Sequence, residues 1–213
     1  AVVIEPIQGE GGYRIPTPQF MEALRAKCTK EGALLIFDEI QTGFGRTGEM
    51  FAWKKIGITP DIICMAKAMG GGMPIGGFAA TKEMMDTLTF NPVLGHITTF
   101  GGHPVSAAAG LAAMKYIEDN DLMAQIKQKQ ELFCSLLSDM KHLKEIRHCG
   151  LMIALDFHDT AIRDKVVLRA MERGVITEGY LFCETAMRVA PPLTITLEQI
   201  EECSALIKEA AEF

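Results

Sequence analysis

Residues 60–74 read PDIICMAKAMGGGMP: an apolar run, one lysine, three consecutive glycines and a proline. A short continuous apolar run bounded by proline and glycine reads as a buried strand of a parallel sheet, here Asp61 to Met65. Lys67 follows its carboxyl end. Taken alone, a lysine belongs on a solvated face, because burial strips water from its ammonium. Its setting among apolar residues and glycines therefore asks for a specific reason. Gly70 to Gly72 let a ligand or another stretch of backbone come close.

Working outward, Ala33 to Phe37 is a second apolar strand, Ala1 to Ile4 another, and Ile75 to Thr81 a fourth. Thr17-Pro18 fits an N-cap followed by proline at the first helical position, opening a helix to about Glu31. Strands alternating with helices argue for an α/β, doubly wound sheet. From Pro104 the pattern turns helical to Lys115. After the Asp119-Asn120-Asp121 break it is helical again from Leu122 to about Lys144. Gly150 to Phe157 reads as a strand, Ile162 to Glu172 as a helix, and Met187 to Val189 as a short strand. Thr196-x-x-Gln199 is a capping box opening a last helix. The division expected is 1–139, part of a large domain with an interdomain helix, and 140–213, a small C-terminal α+β domain.

The chain has 213 residues, 48% hydrophobic and 23% charged, with a net charge of −6. That is globular composition without the basic footprint of a nucleic-acid binder. The six cysteines show no C-x-x-C spacing, which points to reduced thiols of a cytoplasmic protein rather than a disulfide framework or metal site. There is no apolar run of 18 residues, so no membrane helix is expected. The chain opens directly on the apolar run Ala1-Val2-Val3-Ile4, from which a longer polypeptide is expected upstream.

Glu5, Asp38-Glu39 and Lys67 each follow the carboxyl end of a strand, the rim where open α/β sheets bind ligands. A structural ion pair is one reading of such charges. Gly43-x-Gly45-x-x-Gly48 matches a dinucleotide fingerprint in form, but Asp38 and Glu39 intervene between strand and glycines, and their charge would repel phosphate. No phosphate-loop, serine-hydrolase or zinc-protease motif occurs. A pyridine aldehyde cofactor fits better. A Schiff-base lysine needs an apolar, glycine-lined position, and a carboxylate facing the ring nitrogen keeps it protonated as an electron sink. Asp38 and Lys67 are separated by one βαβ crossover and can reach one ring.

EPIQGEGG at 5–12, LLIFDEIQTGFGRTG at 34–48, PDIICMAKAMGGGMPIGG at 60–77, TTFGGHP at 98–104 and MRVAPPL at 187–193 together resemble class III pyridoxal-phosphate aminotransferases. That family includes the ornithine, acetylornithine and 4-aminobutyrate aminotransferases. The resemblance runs over nearly the whole chain but covers only the family's second half. It lacks the preceding phosphate loop and the aromatic residue stacked on the ring. It implies the fold type I transferase architecture and pyridoxal 5'-phosphate as cofactor. It also implies Lys67 as the Schiff-base lysine and proton shuttle, and Asp38 on the pyridine nitrogen. Gln41 would contact the phenolic oxygen, and Thr99 the cofactor phosphate of a neighbouring subunit in a homodimer with a shared active site. Arg188 would hold a substrate carboxylate, and Glu10 would pair with it when the substrate presents none. Ile97 and His103 depart from the family's glycine and asparagine, and His103 is a poor N-cap for the helix at Pro104.

The expected reaction exchanges an amino group between an ornithine-like ω-amine and a 2-oxo acid such as 2-oxoglutarate. The alternatives are an aminomutase or decarboxylase reaction on the same cofactor, or a non-catalytic piece. Residues 1–213 alone are expected to be inactive.

Overall fold

The computed structural model describes every residue of 1–213 except Leu94. Two compact units emerge. The first comprises 1–6, 16–45 and 49–121, and the second comprises 7–15, 46–48 and 122–213.

In the first unit, β1 (Val2–Ile4), β2 (Leu35–Asp38), β3 (Ile62–Met65) and β4 (Gly77–Ala80) form one sheet in that order. The helices are α1 (Pro18–Glu31), α2 (Ala52–Ile56), α3 (Lys82–Asp86) and α4 (Pro104–Asp119). β1, β2 and β3 run parallel, and β4 returns antiparallel to β3. The sequence predicts all four strands but not that reversal. Its cause is the connection 66–76, which holds no crossover helix and so can only return the chain beside β3. Leu35 and Phe37, two residues apart and therefore on one face of β2, are fully buried with Met21 and Cys28 of α1. Trp53 and Ile56 of α2 pack against the same cluster.

The α1 ends are written in the sequence. Thr17 Oγ1 accepts the Phe20 N–H at 3.2 Å, Pro18 opens the helix, and Gly32 closes it in the left-handed region at φ 64°. As expected, His103 gives α4 no side-chain cap.

Asp38 and Glu39 do not share the rim. Successive strand side chains point to opposite faces, and Glu39 is turned fully inside. Its carboxylate accepts the Ala52 and Trp53 N–H groups at 3.0 and 2.8 Å and the Thr42 hydroxyl. It thus satisfies the open amino end of α2, which has no cap of its own at Phe51. The stretch bearing Gly43, Gly45 and Gly48 leads into this five-residue helix, whose N-terminus an internal carboxylate already occupies, so it is no pyrophosphate site.

The second unit is a three-stranded antiparallel meander. β5 (Leu143–Cys149), β6 (Met152–Phe157) and β7 (Ala186–Val189) accompany α5 (Leu122–Leu137), α6 (Thr160–Glu172) and α7 (Leu197–Ala210). Every residue of β6 is buried, because both faces are covered. Ile153, Leu155 and Phe157 pack with Phe133, Leu137, Val166, Ala170, Ile200 and Ile207 of the helices. Met152 and Ala154 face Ile7 and Tyr13 of the loop 7–15. The capping box forms as the sequence predicts, with Thr196 and Gln199 exchanging side-chain to backbone bonds. The predicted helix to Lys144 is corrected: it stops at Leu137, and Leu143–Cys149 is a strand. This strand lies at the sheet edge and is mostly half-buried or exposed, so LKEIRHC shows no clean apolar alternation.

Removing the internal carboxylate strands three donors. Glu39→Ala is expected to lower unfolding free energy by about 2–4 kcal/mol. Urea unfolding followed by Trp53 fluorescence checks this, and an unchanged midpoint would contradict it.

Candidate active site

Asp38 is the last residue of β2 and pairs in register with Cys64 of β3. Its Oδ1 accepts the Ile40 N–H at 3.0 Å, which fixes the carboxylate at the strand end. The Cys64 thiol is pushed up, first by burial and then by the charge of Asp38. Lys67 comes three residues after Cys64, so both groups leave the carboxyl ends of adjacent parallel strands. Lys67 is exposed and opens a 3-10 turn, Lys67–Gly70.

The lysine's backbone is in the left-handed region at φ 48°. A non-glycine residue adopts that conformation only where its surroundings enforce it. Close packing of the turn on α4 provides the enforcement. A Cβ on Gly71 would lie 2.6 Å from Ala109 O, and one on Gly110 only 2.3 Å from Met69 O. At Gly71 and Gly110, therefore, the glycines admit backbone.

Gln41 is half-buried in the turn after β2, and Thr99 is exposed in the segment before α4. A primary amine, an oriented carboxylate, an amide and a hydroxyl suit an aldehyde-bearing pyridine phosphate. Among the described residues, no cluster of three His, Cys, Asp or Glu is disposed to hold a metal ion. The open depression lined by Arg25, Leu34 and Asp61 lies at the amino ends of β2 and β3, away from this chemistry.

Glu10 and Arg188 lie in the second unit and form an ion pair, Arg188 Nη2 to Glu10 Oε1 at 2.7 Å. Glu10 Oε2 accepts the Leu181 N–H at 3.2 Å, and Glu10 O accepts the Phe182 N–H at 3.1 Å. On its other side Arg188 Nη1 stands 3.4 Å from Glu178 Oε1. The guanidinium lies 4.7 Å above the ring of Tyr180, which meets Tyr13 edge-on at 5.1 Å. Burial alone would lower the Arg188 pKa. The Glu10 hydrogen bond and the nearby Tyr13 and Glu10 outweigh it and hold the pKa above its ordinary value. Burial pushes the Tyr180 phenol far up, so this ring stays neutral beneath the cation.

The sequence pattern does not reveal Tyr13, Tyr180 or Glu178. Tyr13 sits in a glycine-rich loop that reads as solvated, and Tyr180 and Glu178 lie outside any periodic stretch.

With this geometry in place, comparison with known proteins decides the family. The model for class III aminotransferases matches residues 1–211. The chain belongs to this family. Its fold is the mixed α/β architecture of these enzymes, and class III aminotransferases depend on pyridoxal phosphate. Ornithine delta-aminotransferase of Plasmodium falciparum is 32% identical with a TM-score of 0.87, covering 99% of this chain and 54% of its own. Acetylornithine aminotransferase of Elizabethkingia anophelis is 32% identical with a TM-score of 0.88, over 99% and 54%. Ornithine aminotransferase of Toxoplasma gondii, described with partial occupancy of the cofactor at its active site, is 31% identical at 0.88, over 98% and 49%. This class III chain thus spans about half the length of these relatives.

A second ionic group braces this unit: Asp156 pairs with Arg147 at 2.5 Å and accepts the Thr185 hydroxyl at 2.6 Å. Burial works to raise the Asp156 pKa, but the Thr185 and Arg147 bonds prevail and hold it below the usual carboxylate range. A depressed folded pKa gives stability that is complete above the unfolded value, about 3.9, and lost as pH falls through the lower folded value. The urea midpoint of Asp156→Asn should therefore lie below wild type at about pH 5, and the gap should narrow towards about pH 3. A gap that does not change with pH would contradict this.

Proposed function

We propose that this chain carries the catalytic lysine and the substrate-end recognition of a transaminase working between an ω-amine, ornithine-like, and a 2-oxo acid such as 2-oxoglutarate. The observation that supports it most is the placing of Asp38 and Lys67 at the carboxyl ends of register-paired parallel strands, within a class III sequence. The ornithine and acetylornithine enzymes among its structural relatives favour that amine class. The functional division proposed is a cofactor part to residue 139 and a substrate-facing part from 140 to 213; loop 7–15 falls in the compact unit that holds residues 122–213.

Bound pyridoxal phosphate supplies an electron sink for the bond broken at the substrate carbon. Lys67 would hold the cofactor through its Nζ, and the same nitrogen would take and return the proton at the substrate carbon. Asp38 would face the ring nitrogen with its carboxylate, with the Ile40 N–H fixing its direction. Gln41 donates to the ring oxygen. Thr99 offers its hydroxyl to the phosphate held by a second copy of the chain. Exposed Phe90, Val93, Ile97 and Phe100 around Thr99 make an apolar surface of the kind a partner subunit covers. We assign the protein to the cytosol on its six free cysteines. Among the described residues no helix is long and apolar enough to cross a membrane.

Arg188 and Glu10 act as a gate. With an amine chain that ends without a carboxylate, Glu10 keeps the guanidinium paired. With a dicarboxylic 2-oxo acid, Arg188 leaves Glu10 and forms a bidentate contact with the substrate. The side chains are 17% and 28% exposed, so exchange of partners leaves neither charge stranded in a dry interior.

Three results test the reading in the holoenzyme. Lys67→Ala should abolish the cofactor's lysine-bound absorbance and turnover, and Asp38→Asn should keep cofactor but slow the proton step by roughly 10²–10⁴-fold. Retained chromophore and rate in Lys67→Ala would reject the assignment. Arg188→Ala should impair chiefly the 2-oxoglutarate half-reaction, and Glu10→Ala chiefly that of ornithine. Equal effects on both half-reactions would remove the gate. Residues 1–213 expressed alone should show no single turnover with ornithine, since Lys67 is exposed there rather than enclosed in an apolar site.

A further inference from the structure

Three residues of the second sheet stand in one register row: Arg147 opposite Ala154, and Ala154 opposite Arg188. Residues directly opposed across antiparallel strands send their side chains to the same face. The middle residue is small and fully buried, so two guanidinium groups flank it on the face covered by loop 7–15.

They hold that loop in different ways. Arg188 grips a side chain, Glu10, whose bond can be exchanged. Arg147 grips backbone: its Nε donates to Gly12 O at 2.7 Å. Its remaining nitrogens are engaged as well. Nη1 pairs with Asp156 at 2.5 Å and with Glu145, and Nη2 reaches Cys183 Sγ at 3.4 Å. Asp156 is fixed in turn by Thr185.

The loop is shaped to this contact. Gly12 has φ 85°, and a Cβ there would lie 2.8 Å from both Arg147 Nη2 and Cys183 Sγ. Any other residue at position 12 would push the guanidinium away. Two carboxylates already balance Arg147, so it has little reason to leave its place when a substrate arrives. Arg188 differs, since the gate requires it to let Glu10 go.

We propose that Arg147, locked by Asp156 and Thr185, is a positioning residue for the gate. It fixes Gly12 so that Glu10 stays docked on the Leu181 and Phe182 amides while Arg188 turns to a substrate carboxylate. Glu10 then recaptures the arginine when the next amine binds. The inference rests on the gate reading and adds to it the device that keeps the gate's fixed half in place.

The test is a double-mutant cycle in the holoenzyme, using ornithine and 2-oxoglutarate half-reactions and amide hydrogen exchange at Leu181 and Phe182. Glu10→Ala and Arg147→Met should each weaken apparent ornithine affinity about tenfold, and the double variant by about tenfold in total rather than a hundredfold, because both remove one function. Exchange at Leu181 and Phe182 should accelerate about tenfold in Arg147→Met and recover toward wild type in Arg147→Lys. If Glu10→Ala spares the ornithine half-reaction, the gate reading itself fails. If Glu10→Ala behaves as expected but the two substitutions multiply, or exchange at the two amides is unchanged, the gate stands and the positioning role is overturned. Should Arg147→Met not fold, Thr185→Val, which removes one bond to Asp156, must show the same non-additivity with Glu10→Ala at smaller size, and multiplication there is equally decisive.

Discussion

The parallel register of β2 on β3 is the constraint on which the cofactor side depends. Asp38 opposes Cys64, and three residues later the chain delivers Lys67. Side chains alternate along a strand, so a slip of one residue would exchange Asp38 and Glu39. The buried carboxylate that satisfies α2 would then face the rim, and the rim carboxylate would enter the core. Each fits its own place: Glu39 has three donors waiting inside, and Asp38 accepts the Ile40 N–H at the strand end. The register is therefore held by hydrogen-bond satisfaction on one face and apolar packing of Leu35 and Phe37, not by pairing alone.

A similar economy governs the second unit. One face of its sheet packs on α5, α6 and α7, and the other is given to loop 7–15. The loop brings Glu10 to Arg188 and Gly12 to Arg147, so one short segment carries both a side-chain ion pair and a backbone contact. Tyr180 beneath Arg188 supports the cation without competing for its hydrogen bonds. The proposed recognition of charge at the substrate end would in this way be separated from the strength of the fold.

Much of this could be read in the sequence where a local rule governs. The α1 cap at Thr17-Pro18, the capping box at Thr196 and Gln199, and the apolar strands each announce themselves within a few residues. Lys67 and Asp38 stood out because their residue types sit against their surroundings, whereas Arg188 was reached only through the family resemblance. What could not be read depends on distant partners. β5 is an edge strand whose pattern is set by a neighbour on one side only, so its first two residues passed as the end of a helix and the rest of Leu143–Cys149 read as no element. Glu39 looked like a companion of Asp38 until strand alternation and the amino end of α2 gave it another task. Arg147 has no local signature at all, because its acceptor is a backbone oxygen 135 residues away. The glycines after Lys67 were legible as a place of close approach, but only the fold shows that α4 is what approaches.

On the proposed reading Lys67, held at positive φ where β3 meets the packed turn on α4, is the residue that binds the cofactor. This is tested most directly by reducing the holoenzyme with borohydride in the presence of pyridoxal phosphate and mapping the label by peptide mass spectrometry. One stoichiometric pyridoxyl group is expected, on the peptide containing Lys67. A stoichiometric label on another lysine, or a label spread evenly over exposed lysines with none enriched at Lys67, would contradict it.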